Sequence, residues 1–314
     1  MEAMILAAGL GTRLLPLTQF CPKPLFPILN RPLLQWSLAY LSRFSLERVI
    51  INSHHLASRI ESFIQREPSF SDLETRISFE PEILGTGGGI ARTRDFWRSD
   101  SFLVINSDIV TNIDLEKAMA FHLSHQGPVT LILHDYPAFN QIAVDDRGCI
   151  LDFRQDNGLA FTGIHILDRT LFDLMPSSGA FDIIPIYQKM IHQGQPVRAY
   201  ISQGHYWRDI GTPSSYLAVH EELLTGPIDP RSFFPTHPEI KSPFYIHPEA
   251  GIEEGADLSG WVCLGKGCLL KKGCRVHNSV LWEDVLVEPG VSINQAVVGS
   301  GVRVTENQHL RVVI

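Results

Sequence analysis

Between residue 1 and about residue 225, short apolar runs alternate with stretches whose apolar residues return every three or four positions. The runs "AMILAA", "ERVIINS", "TRISFE", "SFLVINSD", "PVTLILH", "AFTGIHIL" and "VRAYIS" are rich in β-branched residues and predict strands. The stretches "RPLLQWSLAYLSRF", "HLASRIESFIQRE", "IDLEKAMAFHLSHQ" and "FDIIPIYQKMIHQG" carry one apolar stripe each and predict helices. Strands alternating with helices predict an α/β domain, a mostly parallel sheet covered by helices. Ligands of such sheets bind beyond the carboxyl ends of the strands.

The texture changes at Thr225. "TGPIDPRSFFPTHPEIKSPFYIH" carries five prolines and reads as an extended linker. Beyond it the period becomes six. Aliphatic residues recur at Ile246, Ile252, Leu258, Leu264, Leu270 and Val276, and four positions after each comes Ala250, Ala256, Val262, Cys268, Cys274 or Val280. One step is a residue short, and Leu281, Val287 and Ile293 then resume the count. A six-residue repeat with one aliphatic and one small inward position predicts a parallel β-helix, about three coils at three repeats per coil. The expected domains are therefore 1–225, a linker over 226–245, and a repeat domain over 246–314.

The repeat removes two other readings. "GWVCLGKG" (260–267) approaches a phosphate-binding P-loop, but Gly267 stands where that loop needs Ser or Thr. Cys268 and Cys274 occupy the small inward position, so they read as core residues and not as zinc ligands. His54 and His55 in "INSHHLA" end a strand as a metal pair would, but read better as packing or helix-start residues.

A formal net charge of −8 argues against a nucleic-acid backbone or an anionic membrane as the main partner. No run of eighteen apolar residues exists to span a bilayer. The five cysteines are an odd number in a chain without a secretion signal, which suits free thiols and a cytoplasmic location.

The candidate chemistry lies in "MILAAGLGTRLLPLTQFCPKPLFPI", Met4 to Ile28. A dinucleotide fingerprint is absent, because Leu14 stands where its third glycine belongs. What remains is a strand entering a turn with Gly9 and Gly11, where the backbone approaches a ligand closely. Thr12 and Arg13 follow, and the Arg13 fork matches phosphate oxygens. Lys23 is a point charge on a backbone stiffened by Pro22 and Pro24.

This stretch resembles the sugar nucleotidyltransferases, whose N-terminal signature L-A-A-G-x-G-T-R-L-x-P-x-T…P-K-P-L it matches at every fixed position. "LGTGGGIA" (84–91) is similar to the family's second glycine-rich loop. "VINSDIV" (104–110) and "YWRDIGTPSSYLAVH" (206–220) are similar to its two metal-aspartate motifs. The linker and tail resemble the mannose-1-phosphate guanylyltransferase branch. The resemblance implies a Rossmann-like, mostly parallel mixed sheet followed by a short left-handed parallel β-helix, and a reaction joining a sugar 1-phosphate to an NTP, with GTP favoured. It implies Mg²⁺ on Asp108 and Asp209, Arg13 and Lys23 on the reacting phosphates, and a nucleotide cradle of Leu6, Ala7, Ala8, Gly9, Gly11, Thr12, Gly85, Thr86 and Gly87. Glu80, an acceptor by charge, would suit the donor edge of guanine. Asn140, Thr162 and Gly163 would line the sugar, and the tail would carry a homo-oligomer contact.

Two positions depart from the family pattern. Its sugar-phosphate lysine is missing from "GCILDFRQDNG" (148–158), where Arg154 is the nearest cation, and Phe161 replaces an asparagine before Thr162–Gly163. Three alternatives stay open: a uridylyl- or thymidylyltransferase of the same mechanism, a non-catalytic nucleotide-sugar-binding subunit, and a second acyltransferase activity using His247 or His277 of the tail.

Overall fold

The structure is a computed structural model that describes residues 1–71, 73–155, 158–226, 228–234 and 242–314. Of the linker expected over 226–245, residues 227 and 235–241 lie outside the described residues. The chain forms two compact units, one of Met1–Leu10 with Ser37–Asp209, the other of Gly11–Trp36 with Ile210–Ile314.

The first unit is built on strands β1 (Glu2–Leu6), β2 (Arg48–Ser53), β3 (Glu74–Phe79), β4 (Ser101–Asn106), β5 (Ile109–Thr111), β6 (Val129–His134), β7 (Ala160–Asp168), β8 (Arg198–Ser202) and β9 (Trp207–Asp209). The helices of the chain are α1 (Leu33–Ser42), α2 (Ala57–Arg66), α3 (Gly85–Ala91), α4 (Leu115–Leu123), α5 (Ile184–His192) and α6 (Pro213–Thr225). Seven strands form one sheet in the order β8-β6-β7-β4-β1-β2-β3. All neighbours are parallel except β7, which runs antiparallel to both β4 and β6. β2 is buried along its whole length, as a strand covered on both faces must be, whereas the edge strand β3 alternates with solvent. Met4, Val104, Leu131, Leu133 and Leu167 meet Phe102, Phe172 and Tyr187 in its main core.

Two details shape the carboxyl ends. From β1 the chain builds outward through β2 and β3, then returns to add β4 on the other side of β1. The crevice between β1 and β4 is therefore the topological switch point, where open α/β sheets bind ligands. In addition, β5 and β9 form a separate antiparallel pair just beyond β4.

In the second unit, parallel rungs stack on three faces. Tyr245, Cys263, Val280, Val297 and Val312 follow one another on the first face. Ile252, Leu270, Val287 and Val304 form the second, and Leu258, Val276, Ile293 and Gln308 the third. The stack exceeds the three coils expected, because the final rungs follow at shorter spacing after Ile293 and escape the six-residue count. Left-handed residues stack at the corners: Gly267 (φ 68°), Asp284 (58°) and Gly301 (73°) at one of them. The short step in the repeat has a local cause. Gly260 and Trp261 together face Asn278, shifting the register between Ser259 and Val262, and Trp261 N–H donates to Asn278 Oδ1 at 3.1 Å. Cys268 and Cys274 lie in the core of the coils, none of the five cysteines forms a disulfide, and no helix follows Gly267 as a P-loop would require.

Residues 11–36 of this unit contain three single 3-10 turns, Thr12–Leu14, Leu17–Gln19 and Lys23–Leu25, then a small hairpin of Pro27–Ile28 with Arg31–Pro32. Trp36 packs on Phe233 and Phe234 at 5.1 and 4.9 Å, so the first part of the proline-rich stretch is held on the unit. Each such aromatic pair contributes about 0.5–1.5 kcal/mol beyond burial.

Candidate nucleotide-binding site

At the end of β1 the chain leaves the sheet through Ala7, Ala8 and Gly9. Ala7 N–H donates to Asn52 Oδ1 at 2.6 Å, at the end of β2. Asn52 Nδ2 donates to Glu80 Oε1 at 2.7 Å, and Glu80 Oε2 accepts from Leu84 N at 3.0 Å. One buried relay thus fixes the β1 turn, the β2 end and the start of α3. Glu80 is 0% exposed and both of its oxygens are engaged within the protein. The sequence suggested a carboxylate facing a guanine edge. In the structure both carboxylate oxygens are taken up within the protein, where Glu80 braces the end of β2 and the start of α3. Asn52 was not singled out, because a strand-end asparagine shows nothing of its partners. His54 belongs to the same bracing, its Nδ1 lying 2.8 Å from Glu80 O.

The glycines of "GTGGG" form α3 itself. A Cβ on Gly87 would meet the Phe181 ring at 2.4 Å, one on Gly88 would meet Gly179 O at 2.6 Å, and one on Gly89 would meet Asn52 Nδ2 and Glu80 Oε1 at 2.9 Å. Gly87 and Gly88 both donate to Phe181 O, at 2.9 and 3.0 Å. These glycines therefore answer to close packing within the protein, and the Gly87 N–H, expected on the nucleotide, is engaged elsewhere. Thr86 Oγ1 accepts from Ile183 N at 3.0 Å. Gly9 is the opposite case: it is exposed, its φ is not positive, and a Cβ there would meet nothing within 4 Å. The fold of the protein has no need of a glycine at this position.

The small ladder sets the backbone of Asp209 opposite Ile109, the residue that follows Asp108, just beyond the end of β4 at the switch point. Both are half-buried. Among the described residues no third His, Cys, Asp or Glu completes a metal-binding group around them or elsewhere. Two hard carboxylates without a protein cage suit Mg²⁺, which keeps most of its shell for phosphate and water.

The expected sugar residues are close by on β7 and its neighbours. Gly163 (φ 77°) lies against Asn106, where a Cβ would come within 2.5 Å of Nδ2. Thr162 is fully buried, its hydroxyl donates to Ile132 O at 2.7 Å, and its carbonyl accepts the Trp207 indole N–H at 2.9 Å. Asn140 closes its own turn, accepting from Tyr136 N at 2.9 Å and donating to Asp135 Oδ1 at 2.7 Å. Arg154 is exposed.

Gly11, Thr12, Arg13 and Lys23 belong to the second unit. Gly11 needs its residue type: its φ is 62°, and a Cβ would come within 2.8 Å of Thr18 Cγ2 and 3.5 Å of Lys23 Cβ. Thr18 Oγ1 donates to Gly11 O at 3.3 Å. The turn of Gly11 and the turn of Lys23 are thus packed together, with Lys23 9% exposed and Arg13 exposed.

The nucleotidyl transferase family matches residues 2–226, and the GMPPB C-terminal domain matches residues 240–314. A UTP–glucose-1-phosphate uridylyltransferase of Synechocystis is 29% identical across 93% of this chain and 86% of its own. A mannose-1-phosphate guanylyltransferase of Mycobacterium tuberculosis is 28% identical across 94% and 83%, and mannose-1-phosphate guanylyltransferase 1 of Arabidopsis thaliana is 26% identical across 95% and 86%. Among solved structures, HddC from Yersinia pseudotuberculosis complexed with GMP-PN shares the fold, with a TM-score of 0.60 and 24% identity over 71% of this chain and 99% of that one. Together with the glycine turn at β1 and the two aspartates at the switch point, a match over well beyond half of its length shows that the chain belongs to the nucleotidyl transferase family.

Proposed function

We propose that the protein transfers a nucleotidyl group from an NTP, GTP by preference, to mannose 1-phosphate or a related sugar 1-phosphate, giving an NDP-sugar and pyrophosphate. The placing of Asp209 opposite Ile109, the residue that follows Asp108, at the switch point carries this reading, and the names of the guanylyltransferase relatives favour the substrates. An oxygen of the sugar phosphate attacks the α-phosphorus as the bond to the pyrophosphate oxygen breaks. No protein nucleophile takes part, so the protein's task is to position two anions and to balance the charge that builds on the leaving group.

The backbone of Leu6 to Gly9, with Gly11 and Thr12, receives the phosphates, and Gly85 and Thr86 complete the nucleotide cradle. Arg13 holds the pyrophosphate end and Lys23 the phosphates around the reacting centre. Asp108 and Asp209 would hold Mg²⁺, which would supply positive charge to neutralise the phosphate oxygens. Gly163, Thr162 and Asn140 are assigned to the sugar subsite. In the tail, the six-residue period and the match to the GMPPB C-terminal domain support left-handed coils. Exposed Leu310 and Ile314 on the last coil support a contact with a second copy, and five cysteines outside any disulfide suit a cytoplasmic location.

A uridylyltransferase is the second reading, favoured by the Synechocystis relative. Calorimetric titration of the protein with GTP, UTP and dTTP in Mg²⁺ separates them: tightest binding of GTP is expected, and preference for a pyrimidine nucleotide would assign the second reading.

A further inference from the structure

Lys23 lies near the start of the chain, yet the turn it opens leads into residues gripped by α6 and the C-terminal coils. It opens one 3-10 turn, closed by Phe26 N–H donating to its carbonyl at 3.0 Å. The buried Phe26 ring meets Trp282 edge-on, with centroids 4.9 Å apart, and Tyr216 at 6.0 Å. The Trp282 indole N–H donates to Tyr216 Oη at 3.0 Å, and the Tyr216 hydroxyl donates to Pro27 O. Leu29 N–H donates to His220 Nε2 at 3.3 Å, and Asn30 Nδ2 donates to Leu264 O at 2.8 Å. All of these residues lie within the second unit.

The relay has a direction. An indole N–H can only donate, so Tyr216 accepts from Trp282 and its own proton is left to face Pro27. Without the indole N–H, the hydroxyl is free to turn from Pro27 and accept or donate elsewhere. A single 3-10 turn has little stability of its own, so the place of Lys23 depends on what grips Phe26 and Pro27. A tail that served only to join subunits would need none of these bonds.

We propose that the C-terminal coils are part of the phosphate-binding machinery, with Trp282 acting through Tyr216 and Phe26 as a positioning residue for Lys23. This rests on the reading of Lys23 as a phosphate ligand. The test is a double-mutant cycle in the full-length chain, comparing wild type, Trp282→Phe, Lys23→Ala and the double variant. Trp282→Phe keeps a ring and removes the N–H. It is expected to lower kcat/KM for pyrophosphate release about tenfold, part of the hundredfold that a 1 Å misplacement can cost. In the Lys23→Ala background the same change should have no effect. An equal effect in both backgrounds, or none in wild type, would overturn the proposal. Should Trp282→Phe fail to fold, Tyr216→Phe removes the hydroxyl alone and serves in the same cycle. The cycle is repeated on GTP affinity by calorimetry. A wild type that binds GTP without turnover would contradict the proposed reaction while the binding cycle still decides this inference, and a wild type that neither binds nor reacts would overturn both.

Discussion

Asp209 stands opposite Ile109 on a two-strand ladder at the end of the sheet, one residue along from Asp108. Each is therefore expected to be required for turnover and dispensable for folding. Asp108→Asn or Asp209→Asn should lower pyrophosphate release at least about a hundredfold, because each removes a ligand of an ion worth several kcal/mol. The thermal midpoint should be nearly unchanged. Turnover retained by either variant, with the same Mg²⁺ dependence as wild type, would contradict the metal assignment.

Glu80 braces Asn52 and Leu84 from a fully buried position. Its replacement should therefore weaken all nucleotides together and leave base choice as it was. In Glu80→Gln, one amide hydrogen must face a donor, at a cost of about 1–3 kcal/mol for an unsatisfied buried group. KM values for GTP and UTP are expected to rise by similar factors. A selective loss of GTP would show that the carboxylate reads the base after all.

The glycines make a paired prediction. Gly87→Ala forces a methyl group into the Phe181 ring and should lower the thermal midpoint by several degrees. Gly9→Ala meets open space and should leave the midpoint unchanged, yet raise KM for the nucleotide about tenfold or more if phosphate passes over that backbone. Unchanged kinetics in Gly9→Ala would remove the β1 turn from the nucleotide site.

Two buried histidines set an acid limit. Burial holds His165 down to about 3 and His220 to about 4, from an ordinary 6.5. The neutral form of His220 fits its surroundings, since Nε2 accepts from Leu29 N while Nδ1 faces Tyr216 O at 2.9 Å. Below pH 6.5 the unfolded chain takes up protons that the folded chain refuses. Stability is therefore expected to fall as pH drops from 6.5 towards 4, by about 1.4 kcal/mol per pH unit for each histidine. Urea midpoints between pH 7 and 4.5 measure this slope. His220→Gln should flatten it, and an unchanged slope would contradict the assignment.

The sequence made the strands and long helices legible because burial imposes periodicity, and β2 and α2 lie within two residues of the apolar patterns that announced them. The inward places of Cys268 and Cys274 were legible for the same reason. The reversed direction of β7 was not, since an apolar run looks alike in either direction. Nor was the ladder that joins Asp209 to Ile109, which is too short to carry a pattern. In the site, the sequence identified Glu80 as a carboxylate but could not reveal that Asn52 and Leu84 occupy it. It marked the glycines of α3, but which side of a glycine is crowded, Phe181 or a ligand, depends on tertiary packing alone. Trp282 gave no signal, because the turn it grips is distant in sequence.

The most direct test is pyrophosphate release by the purified chain in Mg²⁺, crossing GTP, UTP, dTTP, CTP and ATP with mannose 1-phosphate, glucose 1-phosphate and N-acetylated sugar 1-phosphates. Release of pyrophosphate with GTP and one sugar 1-phosphate, lost in Asp108→Asn, is the expected result. Folded protein that binds a nucleotide or an NDP-sugar but releases no pyrophosphate with any pair would contradict it and assign the chain as a non-catalytic binding subunit.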